Sequence, residues 1–277
     1  MEDIVINGKA LYTPKGAALE YGRVGCNFYT GCPHNCEYCY LKRGAPSKQL
    51  GGTEVRLKKC FKDEEDALSI FSKELDKHIG YLRRYGVFFS FTTDPLINET
   101  MDITFKAMHR CAIRGIPVKV LTKNADFISK LYSLPTTFVN HCRDWVSFGF
   151  TLTGRDDMEP NASSNHRRIE VMRYLHMDGF KTWASIEPVI DWQSSVQVIR
   201  DSMEWCDHYK LGLRSGVKKD YYNLRESGPT IMRIVEMCKV NNRTLYLKES
   251  TRKLLQHYLK PGAYEALLSH TVDMDGN

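Results

Sequence analysis

Cys32, Cys36 and Cys39 lie in one short run, Gly31-Cys32-Pro33-His34-Asn35-Cys36-Glu37-Tyr38-Cys39-Tyr40, with the spacing C-x3-C-x2-C. Soft thiolates at this density suit zinc or an iron–sulfur cluster. A closed four-iron cluster uses four cysteines. Three close ligands without a neighbouring fourth leave one metal position open, which is what a reactive centre needs. The same residues allow a second outcome, a zinc site with His34 as fourth ligand in a non-catalytic, zinc-stabilised binding protein. His34 sits between two of the cysteines, an awkward place from which to close a tetrahedron. Zinc modules also draw their ligand pairs from separate segments.

The chain has nine cysteines in 277 residues. An odd count, behind an N-terminus (Met1-Glu2-Asp3-Ile4-Val5) with no basic-then-apolar leader, argues against a disulfide framework and for a cytoplasmic location. The scattered six, Cys26, Cys60, Cys111, Cys142, Cys206 and Cys238, are expected to be small buried apolar side chains. Hydrophobic residues at 42% and charged residues at 26% are ordinary for a globular protein. No apolar run of about 18 residues predicts a membrane span. The net charge of +6, from 39 Lys+Arg against 33 Asp+Glu, permits an anionic partner without demanding one.

The rest of the chain must position the thiols. Residues 1–22, through Tyr12-Thr13-Pro14-Lys15-Gly16, read as an irregular arm. Hydrophobic periodicity then predicts strands at 24–29, 87–91, 117–121, 145–152, 180–186, 208–213 and 244–247. Helices are predicted at 63–79, 98–114 (capped by Asn98), 126–132, 163–177, 193–204, 225–240 and 251–259. This alternation implies parallel strands with right-handed crossovers. The expected fold is α/β, a partial (β/α)6-type TIM barrel in one domain, with the barrel over 23–250 and a C-terminal helix and tail over 251–277. Chemistry in such a fold belongs at the C-terminal strand ends. Thr92-Thr93-Asp94, Thr122-Lys123-Asn124, Thr151, Thr153, Glu187 and Lys248-Glu249-Ser250 all fall there.

The C-x3-C-x2-C run, with an aromatic (Tyr38) just before its last cysteine and a β/α series after it, resembles the signature of the radical S-adenosylmethionine superfamily. The resemblance implies that the three thiolates bind three irons of a [4Fe-4S] cluster. The fourth iron then chelates the amino and carboxylate groups of S-adenosylmethionine. Reductive cleavage gives methionine and a 5′-deoxyadenosyl radical that abstracts hydrogen from a substrate. An electron donor such as a flavodoxin or ferredoxin is implied as a partner.

Within the superfamily, nearly the whole chain is similar to the spore-photoproduct-lyase-like branch. The stretches that carry this are Leu11-Tyr12-Thr13-Pro14-Lys15-Gly16, Asn27-Phe28-Tyr29-Thr30-Gly31-Cys32, Phe91-Thr92-Thr93-Asp94-Pro95 with Glu99, Asn165-His166-Arg167-Arg168-Ile169, and Ser185-Ile186-Glu187-Pro188-Val189-Ile190. By position, Thr92, Thr93 and Asp94 would serve the cofactor's amino group, and Lys123 its carboxylate. Thr151 and Thr153 would serve ribose or carboxylate, and Arg168 and Glu187 the same pocket. Tyr38 would pack near the cluster or offer its backbone to adenine. The lyases carry a hydrogen-donating cysteine just before the Thr/Ser-Asp of this loop, and here Phe91 and Thr92 stand there. Photoproduct cleavage by that route is therefore not expected.

Two patches mix basic and aromatic residues: Tyr81, Arg83, Arg84 and Tyr85, and a loop with Arg214, Lys218, Lys219, Tyr221, Tyr222 and Arg225. Such patches can track a phosphate backbone and stack on bases. They make a nucleic acid or nucleotide one candidate substrate, with a peptide or small molecule as the alternative.

Overall fold

A computed structural model describes residues 4–43, 47, 50–218 and 220–273. Lys219 lies outside the described residues. The chain forms two compact units, Met1–Gly149 with Glu159–Ser163, and Phe150–Met158 with Ser164–Asn277. Both are α/β, and their paired strands are mostly parallel.

In the first unit the strands β1 (Leu11–Tyr12), β2 (Gly25–Cys26), β5 (Val87–Phe89), β6 (Val118–Thr122) and β7 (Val146–Thr151) follow one another in that order across a sheet. The unit boundary falls inside β7, after Gly149. β1 runs antiparallel to β2, while β2–β5 and β5–β6 are parallel. β3 (Tyr29–Thr30) and β4 (Arg56–Leu57) form a separate antiparallel pair. The strand expected over 24–29 is thus split into β2 and β3. The N-terminal arm also holds more structure than its sequence suggested, because Glu74 accepts the backbone N–H groups of Lys9, Ala10 and Leu11 and fixes β1.

The first helix, α1 (Glu64–Lys77), shows why these sequences choose helix. Asp63 caps it by accepting the Asp66 N–H at 2.8 Å, and acids fill its first turn. Ala67, Leu68, Phe71 and Leu75 recur on one face and are buried. Phe71 meets Phe28 and Phe89 at ring-centroid distances of 5.5 and 6.0 Å, giving the cysteine loop a firm apolar floor. Each such fully buried ring stabilises the unit by about 1.5–3 kcal/mol. The unit also holds α2 (Ile79–Tyr85), α3 (Met101–Ala112), α4 (Phe127–Ser133) and α5 (Thr136–Arg143). α3 starts at Thr100 rather than at the expected Asn98 cap. α5, a short polar helix behind Pro135, was not anticipated from periodicity.

The second unit has a three-stranded parallel run of β8 (Lys181–Val189), β9 (His208–Leu213) and β10 (Thr244–Leu247). β8 extends three residues past its expected end, so Glu187 lies within the strand and not after it. The helices are α6 (Asn165–Met177), α7 (Trp192–Ser202), α8 (Leu224–Val240), α9 (Glu249–Tyr258) and α10 (Pro261–Leu268). Ser164 and Asp191 cap α6 and α7. α10 occupies part of the expected tail. No helix among the described residues is long and apolar enough to cross a membrane.

Candidate metal centre

The cysteine loop is shaped by its backbone. Gly31 has φ +82°, and a Cβ there would lie 2.0 Å from the Glu54 carbonyl oxygen, so only glycine fits. The next N–H, of Cys32, donates to the Gly52 carbonyl at 3.0 Å. Asn35 takes φ +53°, a left-handed conformation that asparagine tolerates. These turns leave Cys36 buried and Cys32 and Cys39 half-buried, none of them in a disulfide. Among the scattered six, five are buried as expected, but Cys60 is exposed.

His34 and Asp94 tie this loop to the strand ends. Asp94 Oδ2 accepts from His34 Nε2 at 2.8 Å and from the Lys123 N–H at 2.7 Å. Its Oδ1 accepts from Thr122 Oγ1 at 2.7 Å and the Leu96 N–H at 2.9 Å. Burial alone would raise this carboxyl, yet the His34 hydrogen bond and charge, helped by the Lys123 and Leu96 N–H groups, hold it down to about 2. The other His34 nitrogen, Nδ1, is 3.0 Å from the Asn161 carbonyl. His34 thus bridges the Asp94 carboxylate and the Asn161 carbonyl, one on each ring nitrogen.

The thiols meet a mixed field. Burial pushes Cys32 up to about 12, with the Asp94 charge adding to it. Opposing this, the His34 and Asp94 backbone N–H groups hydrogen-bond the Cys32 sulfur, and Lys123 adds positive charge. Burial raises Cys36 as well; Lys123 opposes it, while Glu159 and Cys39 reinforce it. The Lys123 ammonium stands over the Tyr38 ring, 5.5 Å from its centroid. Tyr38 donates its hydroxyl to Glu159, a carboxylate only 2% exposed. Thr92 spends its hydroxyl on the Tyr29 carbonyl at 2.5 Å. Thr93 Oγ1, in contrast, is buried without a hydrogen-bond partner. It sits one residue from the N–H that reaches the Cys32 sulfur.

The remaining expected residues lie in the second unit. Arg168 is fully buried and donates to the Thr151 carbonyl at 2.5 Å. The Thr153 N–H donates to Asn165 Oδ1 at 2.9 Å, and its hydroxyl accepts from the Arg155 N–H. Glu187 pairs with Lys248 at 2.6 Å. Thr151, Thr153 and Arg168 are thus linked around the start of α6, and Glu187 is engaged elsewhere in the unit. Sequence reasoning did not single out Glu159, Asn161 or the bridging role of His34. Their partners lie 121 to 128 residues away in the chain, and such pairings leave no local pattern.

Three of the four aromatic residues read as base-stacking candidates are otherwise employed. Tyr221 and Tyr222 donate to the Ile190 and Val189 carbonyls, and Tyr81 is 7% exposed against Tyr85.

Among the described residues, no three His, Cys, Asp or Glu side chains form a group that could hold a single metal ion. A four-iron cluster asks something different, because each cysteine ligates its own iron. The residues fit that group on two counts: unbridged thiols on a constrained loop and backbone N–H donors on the Cys32 sulfur. They fit a Cys3His zinc site poorly, since both His34 nitrogens already have partners.

No family model matches the chain. It is 25% identical over 173 residues to an uncharacterized protein (MJ0683) of Methanocaldococcus jannaschii, a match covering 59% of each chain. The match therefore spans less than two thirds of that relative's length.

Proposed function

We propose that the chain is a radical S-adenosylmethionine enzyme of the spore-photoproduct-lyase-like branch, built on a partial (β/α)6-type barrel, with Cys32, Cys36 and Cys39 holding a [4Fe-4S] cluster. The observation that carries this reading is the buried Thr93 hydroxyl without a hydrogen-bond partner, one residue before Asp94, whose backbone N–H reaches the Cys32 sulfur. Hydrogen bonds to a cluster's sulfurs tune its potential, and an unsatisfied buried hydroxyl calls for a ligand donor. When bound, the cluster would supply one electron to S-adenosylmethionine, received from a flavodoxin or ferredoxin, to yield the 5′-deoxyadenosyl radical.

The chain's own groups would do the orienting. Thr93 Oγ1 is the acceptor for the cofactor's ammonium, and the Lys123 ammonium is the partner for its carboxylate. Asp94 acts at one remove: its carboxylate is spent on fixing His34, Thr122 and the Lys123 backbone. Tyr38 packs beneath Lys123. Thr151 and Thr153 are assigned to the ribose, with Arg168 holding the Thr151 carbonyl in place. The zinc-stabilised alternative is disfavoured by the engagement of both His34 nitrogens.

A nucleic acid or nucleotide is the substrate class favoured by charge. Arg23 and Arg84 flank the Tyr85 ring at 4.6 and 5.2 Å, on a chain of net charge +6. Binding to DNA or RNA that weakens steeply with salt supports this class. A peptide or small molecule becomes the substrate if no binding appears at low salt.

The test is anaerobic reconstitution with iron and sulfide. The account expects a broad visible band that bleaches with dithionite and a reduced-cluster EPR signal that changes on adding S-adenosylmethionine. Thr93→Val should keep the band and lose the change. A protein that takes up stoichiometric zinc and no iron would overturn the proposal.

A further inference from the structure

The segment Glu159–Ser163 packs with the first unit although the residues on both sides of it belong to the second. Glu159, Asn161 and Ser163 hydrogen-bond the cysteine loop and the residues that follow β6. Asn161 Nδ2 donates to the Pro33 carbonyl at 2.9 Å, and the Asn161 N–H to the His34 carbonyl at 3.3 Å. The Asn161 carbonyl accepts from His34 Nδ1 at 3.0 Å. Glu159 accepts the Tyr38 hydroxyl. Ser163 donates its N–H to the Lys123 carbonyl at 3.1 Å and accepts the Ala125 N–H on its hydroxyl at 2.8 Å. One five-residue strap therefore grips Pro33, His34 and Tyr38, between and around the three thiols, and the residue following β6.

A loop with left-handed turns at Gly31 and Asn35 and few hydrogen bonds of its own does not hold three sulfurs in a fixed triangle unaided. Metal sites depend on such outer contacts to orient their ligands. We propose that the Glu159–Ser163 strap is the positioning device of the cysteine loop. Asn161 holds the Pro33-His34 backbone between Cys32 and Cys36. The buried Glu159 carboxylate fixes Tyr38 next to Cys39 and places negative charge close to the Cys36 sulfur. The strap touches no reacting atom, so these are positioning residues. Their action on a cluster rests on the function proposed above, whereas their action on the loop does not.

Two variants test the two halves. In cluster-free protein, Asn161→Ala should speed amide hydrogen exchange at residues 34–38 by at least tenfold while leaving the helices protected. After reconstitution the same variant should hold less iron and sulfide per chain than wild type. Glu159→Gln keeps an acceptor for Tyr38 but removes the charge. It should bind the cluster with wild-type stoichiometry and reduce it more readily, by about tenfold in the equilibrium or ~59 mV for one electron. Wild-type exchange in Asn161→Ala, or an unchanged potential in Glu159→Gln, would overturn the corresponding half. If Asn161→Ala failed to fold, Glu159→Ala, compared with Glu159→Gln in the same exchange experiment, would report on the loop. If no variant nor the wild type takes up iron, the exchange result still decides the positioning role, and only the cluster reading falls.

Discussion

Two neighbouring residues, Thr93 and Asp94, carry opposite burdens. Asp94 is buried and accepts four hydrogen bonds, one of them from His34. An asparagine there turns one acceptor oxygen into an NH2 and leaves buried donors unpaired, at about 1–3 kcal/mol each. Asp94→Asn should therefore lower the denaturant midpoint of cluster-free protein sharply. Thr93 Oγ1 is buried and makes no hydrogen bond, so deleting it relieves a desolvation cost. Thr93→Val should leave stability equal to or slightly above wild type and weaken S-adenosylmethionine binding to the loaded protein. Calorimetry or EPR titration reads the second effect, and equal affinity in the variant would remove Thr93 from the pocket. Adjacency in one motif suggested one role for both residues. Their roles separate because a carboxylate's four acceptor sites draw in whatever donors surround it, and no single sequence displays those.

At the scale of elements, the cysteine loop and the helix caps make separate predictions. Gly31→Ala would drive a methyl group into the Glu54 carbonyl and strain a φ of +82°. It should lower thermal stability and cluster content together, whereas an exposed glycine with nothing near it, such as Gly80, should tolerate alanine. On α7, Asp191 accepts the Ser194 N–H at 2.7 Å. Asp191→Ala should cost about 1 kcal/mol in denaturant unfolding at neutral pH. Burial would raise the Asp191 carboxyl, but the Ser194 N–H and hydroxyl and Arg155 outweigh it and hold it below its ordinary value. A carboxyl lowered by folding stabilises above its unfolded pKa, about 3.9, and loses that contribution as pH falls further. The gap between wild type and Asp191→Ala should therefore close below about pH 4.

Most of these elements were legible beforehand. Strand β9 and strand β10 fall where their alternation predicted, and α6 and α7 begin behind Ser164 and Asp191, residue types that cap helices. The misses have physical reasons. α5 spans eight residues with only Val139 and Cys142 buried, too short a stretch for a repeat to declare itself. β8 runs on through Glu187-Pro188, a pair that reads as a strand end. β1 exists because Glu74, more than 60 residues away, satisfies its backbone.

At the scale of the whole molecule, the candidate thiols were legible in three cysteines and their spacing, but the contacts that hold their loop were not. The strap that grips the cysteine loop is a five-residue insertion from distant sequence, and its Glu159 and Asn161 carry no motif. The two units share an α/β plan in which parallel strands deliver polar residues to their C-terminal ends. That plan serves many chemistries, so the fold alone does not choose among them. The proposed cluster chemistry would choose, and its product can be counted. Reconstituted protein, S-adenosylmethionine and dithionite should together yield 5′-deoxyadenosine and methionine in equal amounts by liquid chromatography, and Cys36→Ala should yield neither. Wild-type protein that carries a full iron–sulfur complement and still forms no 5′-deoxyadenosine would contradict the account.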